Sequence, residues 1–115
     1  MEISEKKTVD RYHVYVGLSH GTTFEQKFDT EKYISLVDYI CKNNNIAYTL
    51  GTTRGGYQFI SGKYVNENSL DVMMIDAPLE VVELLSSELC AMLGQECVMV
   101  THDTVEMFYL SDSIE

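Results

Sequence analysis

The chain lacks the features that mark several large classes of protein. It has no tryptophan, a single proline and three cysteines in 115 residues. No stretch approaches the roughly 20 consecutive apolar residues that a membrane-spanning helix needs. The N-terminal segment MEISEKK contains no apolar region of the kind found in a secretory signal peptide. We therefore expect a cytoplasmic protein.

Clusters of metal-binding and redox-active side chains are also missing. Cys41, Cys90 and Cys97 are odd in number and form no C-x-x-C pair. Cys41 and Cys90 fall on or beside apolar positions of helical patterns, where free thiols behave as small hydrophobic groups. A zinc or iron site needs several clustered ligands, and His13 and His20 have no evident partner. We predict no metal and no cofactor.

Positive charge is absent from almost half of the chain. All eight lysines and arginines lie within the first 63 residues, whereas residues 64–115 contain eleven acidic residues and no basic one. The field of such a segment repels nucleic acid and anionic membranes and attracts basic partners. We therefore predict no direct binding to nucleic acid or membrane. The plainer interpretation is that a net charge of −10 only keeps a small protein soluble.

Hydrophobic periodicity predicts one folded domain at residues 11–115, preceded by a flexible polar segment at residues 1–10. A period of two predicts strands, and a period of 3.6 predicts two helices. The strands are predicted at Tyr12–Leu18, Ile46–Leu50, Leu70–Ile75, Cys97–Thr101 and Val105–Leu110, and the helices across Tyr33–Cys41 and Val81–Leu93. The last two strands would be joined by a tight turn at His102-Asp103. This order predicts a ferredoxin-like α+β sandwich, β-α-β-β-α-β, with an extra C-terminal strand.

The segment LGTTRGGYQF at residues 50–59 has the glycine spacing of a P-loop. Tyr57 and Gln58 stand where that loop needs a lysine and a hydroxyl residue, so a nucleoside triphosphatase is excluded. Two interpretations remain open. The glycines could form a bulge or bend in a long hairpin, or a loop that binds a nucleotide or another anion. The candidate ligand-binding residues are Arg54, Gly55, Gly56, Tyr57, Phe59 and Lys63.

No catalytic motif is recognisable in the sequence. There is no G-x-S-x-G elbow, and a catalytic triad comes together only in the fold. Glu67, Asp71 and Glu96 lie on or beside predicted strands. As paired carboxylates they would indicate an enzyme, and as separate side chains they would be solvated strand edges. We favour the second interpretation and predict no catalytic residue.

Apolar side chains on both faces of the third strand predict a contact surface. In a two-layer sandwich one sheet face has no helices over it, and an exposed apolar face usually marks an interface. We therefore expect a homodimer or higher oligomer formed through the sheet. The predicted interface comprises Tyr15, Met73, Ile75, Val98 and Val100 on the sheet, with Glu80, Glu83, Glu88 and Glu106 on the acidic helix and tail.

The segments VYVGLS, GGY, ENSLDV and QECVMVT carry a resemblance to known proteins. Through them residues 12–110 resemble small uncharacterised bacterial and phage proteins of the ferredoxin-like type. The small, acidic, single-domain chain is also similar to phage inhibitors of bacterial defence, such as anti-CRISPR proteins and proteins that sequester nucleotide signals. The resemblance transfers no catalytic residue, and it implies action in the host cytoplasm.

Three functions are expected from these observations. The leading hypothesis is a non-catalytic acidic inhibitor of phage origin, which binds a basic protein surface of a bacterial defence system. The second is a protein that binds or sequesters a nucleotide or another anion at the glycine-rich segment around Arg54. The third is a small oligomeric hydrolase or isomerase.

Overall fold

Four long strands and two helices follow one another in the order that the hydrophobic pattern predicts. The computed structural model describes residues 1–95 and 98–112. Its elements are β1 (Glu2–Ile3), β2 (Lys7–Gly17), α1 (Thr30–Asn43), β3 (Tyr48–Gln58), β4 (Tyr64–Ile75), α2 (Leu79–Leu93), β5 (Met99–Met107) and β6 (Leu110–Ser111). The long strands form an antiparallel sheet in the order β3-β4-β2-β5, and the short β1 and β6 pair with each other. The ferredoxin-like α+β prediction is confirmed.

The two faces of the sheet differ because side chains alternate along each strand. Both helices cover the face that carries even-numbered residues such as Val14, Val16, Leu70 and Val72, all of which are buried. The helices contribute Tyr33, Val37, Ile40 and Cys41 from α1 and Val82, Leu85, Leu89 and Leu93 from α2. Every strand pair joins odd to odd positions, so the odd-numbered residues of β2 to β5 share the other face. We call it the open face.

Strand boundaries differ from the prediction at both ends of the chain. Strand β2 begins at Lys7, so residues 7–10 pair with β5 instead of standing outside the domain. Strand β5 runs without interruption through His102 and Asp103, and the predicted tight turn there is wrong. Cross-strand partners explain this, since the Arg11 guanidinium donates to Asp103 and a His102 ring nitrogen lies 2.8 Å from Asp10 Oδ1.

The glycine-rich segment is a regular part of β3. Its register with β4 is unbroken from Tyr48 opposite Met74 to Gln58 opposite Tyr64, so the segment lies in a long hairpin, as one interpretation expected, and the bulge is wrong. A hydroxyl contact of 2.6 Å between Thr53 and Ser69 spans the two strands within this segment. The chain reverses only at the following turn, where Gly62 adopts a φ of 94°.

The helix ends follow the sequence signals in part. Gly94 ends α2 in the left-handed conformation with φ of 59°, as its position after the apolar stripe predicts. Pro78 lies just before α2, as its N-cap, and not inside the first turn. In the described part of the chain, neither helix is long and apolar enough to cross a membrane.

Candidate functional site

A cavity of about 390 Å³ opens on the open face, at the end of the sheet nearest the β3–β4 turn. Its volume falls in the range of small-molecule sites. The lining residues are Tyr15, Val16, Gly17, Thr53, Arg54, Gly55, Gly56, Tyr57, Glu67, Ser69, Gln95 and Met99. We call it the Glu67 cavity. The glycine-rich segment thus borders a cavity, although as a strand and not as a loop.

Glu67 is the buried carboxylate of this cavity. The residue is only 6% exposed, and its Oε2 accepts a hydrogen bond of 2.9 Å from the backbone N–H of Ser19. Within residues 1–95 and 98–112, no donor reaches Oε1 and no cationic side chain forms an ion pair with the carboxylate. Burying a carboxylate without a cation costs free energy, which a bound cation would offset. Glu67 is therefore the leading candidate for a functional residue of the cavity.

Gly17 makes room for the Glu67 side chain. It lies on the open face of β2, opposite Ser69 of β4. A Cβ atom at Gly17 would lie 1.7 Å from Glu67 Oε1, so a side chain there would force the carboxylate to move. The absent side chain allows the carboxylate to extend across β2 and reach the Ser19 N–H just beyond the strand.

Gln95 holds the same segment from its other side. Its Nε2 donates to the carbonyl oxygens of Ser19 at 2.5 Å and Gly17 at 3.3 Å. The left-handed Gly94 turns the chain after α2 so that Gln95 can reach β2. The backbone of Ser19 is thereby held on both sides, because its N–H donates to Glu67 and its C=O accepts from Gln95.

Aromatic and thioether side chains form the walls of the cavity. The ring of Tyr15 stacks on His13 with centroids 5.5 Å apart, and Tyr57 meets Phe59 edge-on at 5.0 Å. Met99 lies opposite Tyr15 in the sheet and is exposed. Aromatic rings beside a carboxylate can bind an organic cation, since both attract positive charge.

The predicted anion-binding charges do not face Glu67. Arg54 is even-numbered, so its side chain leaves the strand on the face opposite Gly55 and Tyr57, and it donates to Asn68 Oδ1 at 3.4 Å. Lys63 lies in the turn, with Nζ 5.1 Å from the Phe24 ring centroid. Phe59 is 3% exposed, and its ring packs against the ring of Tyr57. Of the predicted ligand residues, Arg54, Gly55, Gly56 and Tyr57 border the cavity, whereas Phe59 and Lys63 do not.

The candidate carboxylates have different environments. The interpretation as a solvated strand edge is wrong for Glu67, which is buried. Asp71, further along β4, has Oδ1 2.8 Å from His13 Nδ1. Glu96 lies outside the described residues. Sequence reasoning missed Gly17, Ser19 and Gln95, because their relation to Glu67 depends on a strand register that one sequence does not specify.

The predicted interface residues fall on several surfaces. Tyr15, Met73 and Ile75 lie on the open face, as expected. Val98 and Val100 do not: Val98 packs against the core, and Val100 pairs with Val14 on the covered face. The register of β5 instead brings Met99 to the open face. On α2, the exposed residues include Glu80, Glu83 and Glu88. Glu106 Oε1 lies 4.0 Å from Lys6 Nζ. The homo-oligomer and the basic protein partner stay predictions.

The cysteines of the described chain lie away from the cavity lining. Cys41 is buried, and desolvation followed by the charge of Asp38 raises the pKa of its thiol, which makes it a poor nucleophile. Cys90 is half-buried, and Cys97 lies outside the described residues. The described side chains include no group of three His, Cys, Asp or Glu residues arranged to hold a metal ion.

A second cavity, of about 420 Å³, lies at the opposite end of the open face. We call it the Lys7 cavity. Met73, Ile75 and Met107 line it from the sheet, with Lys7 and Asp76 beside them. Lys7 Nζ lies 3.0 Å from Asp76 Oδ2, and both side chains are about half exposed. The acidic group of this cavity therefore has a cation as its partner.

Two solved structures share the fold along most of the chain. One is a phage SAM lyase in complex with S-methyl-5′-thioadenosine, with a TM-score of 0.68 and 24% identity, covering 86% of this chain and 88% of that one. The other is a phage SAM lyase in the apo state, with a TM-score of 0.68, 22% identity and 94% coverage of both chains. No protein-family model and no curated protein matches the chain. These likenesses establish the fold, and the similar structures are of phage proteins.

The similar structures overturn the leading functional hypothesis. Both are of lyases, which are enzymes, and they span nearly the whole chain. The prediction of a non-catalytic inhibitor that acts by protein binding is therefore wrong. Its weak step was the inference from a missing catalytic motif to a missing activity.

Proposed function

We propose that this protein is a lyase that cleaves S-adenosylmethionine (SAM) and releases S-methyl-5′-thioadenosine (MTA). The observation that carries the proposal is Glu67, a buried carboxylate with no cationic partner in the described chain, in a cavity of suitable size. SAM has two positive charges, on its sulfonium and its α-ammonium group. The shared fold of the two phage SAM lyases, one of which holds MTA, supports the choice of this cation over others.

The cavity offers a complementary group for each part of SAM. Glu67 Oε1, which no described donor reaches, would accept hydrogen bonds from the α-ammonium group. The rings of Tyr15 and Tyr57 and the thioether of Met99 would contact the adenosyl part and the sulfonium. An anion such as ATP would instead meet the Glu67 carboxylate, which would repel it.

The reaction needs few groups from the protein. A carboxylate oxygen of SAM attacks its own γ-carbon, the γ-carbon–sulfur bond breaks, and its electron pair stays on sulfur. The products are MTA and homoserine lactone, so the atoms balance without water or proton transfer. SAM thus supplies both the nucleophile and the leaving group, and the protein has to hold the chain in its ring-closing conformation.

The electrostatics of this step suit a site with few polar groups. A carboxylate and a sulfonium combine to give two neutral groups, so the transition state is less charged than the substrate. Weakly polar surroundings therefore disfavour the substrate more than the transition state. By binding the ammonium group, Glu67 would also keep it from pairing with the attacking carboxylate.

An anti-defence role would follow from catalysis and not from protein binding. SAM is the methyl donor of cellular methyltransferases, so a phage protein that destroys it removes the substrate of host DNA methylation. The likeness to phage proteins supports this setting. An anti-CRISPR activity is no part of the proposal.

The test is incubation of the purified protein with SAM, followed by chromatography and mass spectrometry of the products. We expect MTA and homoserine lactone in equal amounts. In water labelled with ¹⁸O the lactone should be unlabelled, whereas direct hydrolysis at the γ-carbon would place the label in a hydroxyl group of homoserine. Glu67→Gln should lower kcat/KM by about 10²–10³-fold, as removal of an electrostatic active-site group does.

Glu106→Gln is the matched control, because it makes the same change at an exposed residue outside the cavity. It should keep kcat/KM within about twofold of wild type, since surface substitutions have small effects. Absence of MTA above the uncatalysed rate would refute the proposal. Glu67→Gln with wild-type activity would refute the role of Glu67.

A further inference from the structure

The glycines of β3 call for an explanation, because glycine weakens a strand. Gly51, Gly55 and Gly56 all lie within the regular β3–β4 ladder. Any of them could serve the fold, by avoiding a clash or by adopting a conformation that other residues disfavour. Each possibility can be checked from the space around the position and from its backbone angle.

Gly56 has a neighbouring side chain that accounts for its missing Cβ. A Cβ atom there would lie 2.0 Å from the hydroxyl oxygen of Tyr64 and 2.5 Å from the nearest carbon of its ring. The phenol of Tyr64, which is exposed, lies over bare backbone, and a side chain at Gly56 would displace it.

Gly55 and Gly51 have no such reason to be glycine. Neither has a positive φ, so both have backbone conformations that other residues adopt readily. A Cβ atom at Gly55 would meet only Ser69 Oγ, at an ordinary contact distance of 3.8 Å, and one at Gly51 would meet nothing within 4 Å. The fold would accept a side chain at either position.

Of Gly51 and Gly55, the second alone borders the Glu67 cavity. It lies directly opposite Glu67 in the β3–β4 register, and its odd number puts it on the open face. A side chain there would project into the cavity next to the carboxylate. Gly51, on the same strand and face, does not border the cavity. A ligand in the cavity would therefore not occupy the space beside Gly51.

We infer that Gly55 is a specificity-determining residue, whose missing side chain is the space that the adenosyl-sulfonium ligand occupies between β3 and Glu67. The inference rests on the proposed function and deepens it. It explains a strand-weakening residue at a place where the fold does not require one. It also distinguishes three neighbouring glycines: Gly56 accommodates Tyr64, Gly55 accommodates the ligand, and Gly51 is the natural comparison.

The test compares Gly55→Ala and Gly55→Val with Gly51→Ala and Gly51→Val. MTA affinity is measured by calorimetry, SAM cleavage by product formation, and stability by thermal unfolding. Gly55→Ala should weaken MTA binding about 10-fold and Gly55→Val about 100-fold or more, with parallel losses in kcat/KM, since added methyl groups overfill the site. The Gly51 variants should bind MTA within about twofold of wild type. None of the four should lower the melting temperature, because strands favour alanine and valine over glycine.

Three outcomes would overturn the role of Gly55. One is MTA binding by Gly55→Ala with wild-type affinity. Another is a lower melting temperature for Gly55→Ala than for Gly51→Ala, which would mean that the fold needs this glycine. The third is a change in oligomeric state, measured as molar mass by light scattering, that is equal for the Gly55 and Gly51 variants. That result would mean that both glycines are needed for contact between copies of the chain. A wild-type protein that neither binds MTA nor cleaves SAM would instead overturn the proposed function itself.

Discussion

The carboxylates at the two ends of the open face differ in whether a cationic side chain pairs with them. Near the Lys7 cavity, Asp76 has Lys7 as its partner and Asp103 has Arg11, in a contact that uses both carboxylate oxygens. These side chains are between about one third and one half exposed, and exposed ion pairs contribute little to stability. In the Glu67 cavity a carboxylate is buried, with a single backbone N–H as its described partner. Protein cations pair with the carboxylates at one end, whereas under the proposed function a ligand cation would pair with Glu67 at the other.

This difference distinguishes carboxylates that are paired within the protein from the one to which the proposed function assigns a ligand. Arg11 lowers the pKa of Asp103, mainly through its hydrogen bond, and so keeps that carboxylate charged and paired. A ligand would have to displace Arg11 before it could use Asp103. Oε1 of Glu67 has no described donor, and the Ser19 N–H holds Oε2 in place, so under the proposed function a ligand cation would meet a group already in position. The three predictions below test whether the two ends differ in this way.

The largest effect is expected for Gly17→Ala, which acts on Glu67 without changing it. The new methyl group would lie 1.7 Å from Glu67 Oε1 and would force the carboxylate away from Ser19. SAM cleavage should fall by about 10²-fold, the cost of a displacement of about 1 Å in a site. The free energy of unfolding in urea should fall by about 1–3 kcal/mol, as for other overpacked positions.

The double variant Gly17→Ala/Glu67→Ala is the companion of that experiment. It removes the clashing carboxylate, so stability should return towards wild type while activity stays low. A fully active Gly17→Ala protein would show that the position of Glu67 does not matter, and the contrast between the two ends would lose its basis.

A smaller effect is expected for Gln95→Met, which removes the donor to Ser19 and Gly17 while keeping similar volume. The kcat should fall about 10-fold, in line with the loss of a hydrogen bond of ordinary strength, and KM should stay within about twofold. Hydrogen exchange of the Ser19 amide should become faster, because the backbone around Ser19 is no longer held at the carbonyls of Gly17 and Ser19.

Gln58→Met is the matched control, since Gln58 also donates to a backbone carbonyl, that of Gly62 at 3.3 Å, but lies outside the Glu67 cavity. It should leave kcat and the Ser19 amide unchanged. Equal effects of the two substitutions would mean that Gln95 has only a general structural role.

The smallest effect is expected at the paired end, from Arg11→Met or Asp103→Asn. Because the folded-state pKa of Asp103 is below its ordinary value of 3.8, the pair stabilises the fold above that value. The contribution is lost as the pH falls through the folded-state pKa. The variants should therefore be slightly less stable than wild type at neutral pH and equal to it in strong acid, by urea unfolding at each pH.

SAM cleavage by these two variants should remain within about twofold of wild type, because Arg11 and Asp103 do not border the Glu67 cavity. A loss of activity comparable to that of Glu67→Gln would contradict the separation of the two ends. A stability difference that persists in strong acid would contradict the assignment to the Asp103 charge.

Much of the fold could be predicted because its signals are local. The apolar spacing of Tyr33, Val37, Ile40 and Cys41 predicted the buried face of α1, and alternation in β2 and β4 predicted the covered face of the sheet. Backbone geometry imposes those periods on any segment, so they can be read without tertiary information. The prediction failed at His102-Asp103, where polar residues that are common in turns are held in a strand by Arg11 and Asp10 on the neighbouring strand.

The catalytic hypothesis required information that sequence patterns do not contain. Known motifs describe proteins that supply a nucleophile, a base, a metal or a phosphate cradle. A reaction in which SAM provides both the nucleophile and the leaving group needs none of these, so the missing motif did not exclude an enzyme. The carboxylate at Glu67 was visible in the sequence, but its burial and its lack of a cationic partner among the described residues were not.

The sequence by itself determined the element order, the sheet face that meets the helices, and the acidity of the second half of the chain. These depend on composition and on periods of a few residues. Only the tertiary structure decided that β3 is a regular strand, that Gly17 clears the space for Glu67, and that Gly55 lies opposite that carboxylate. These relations join residues far apart in the chain, and they arise from strand register, which is settled by packing of the whole sheet against its helices.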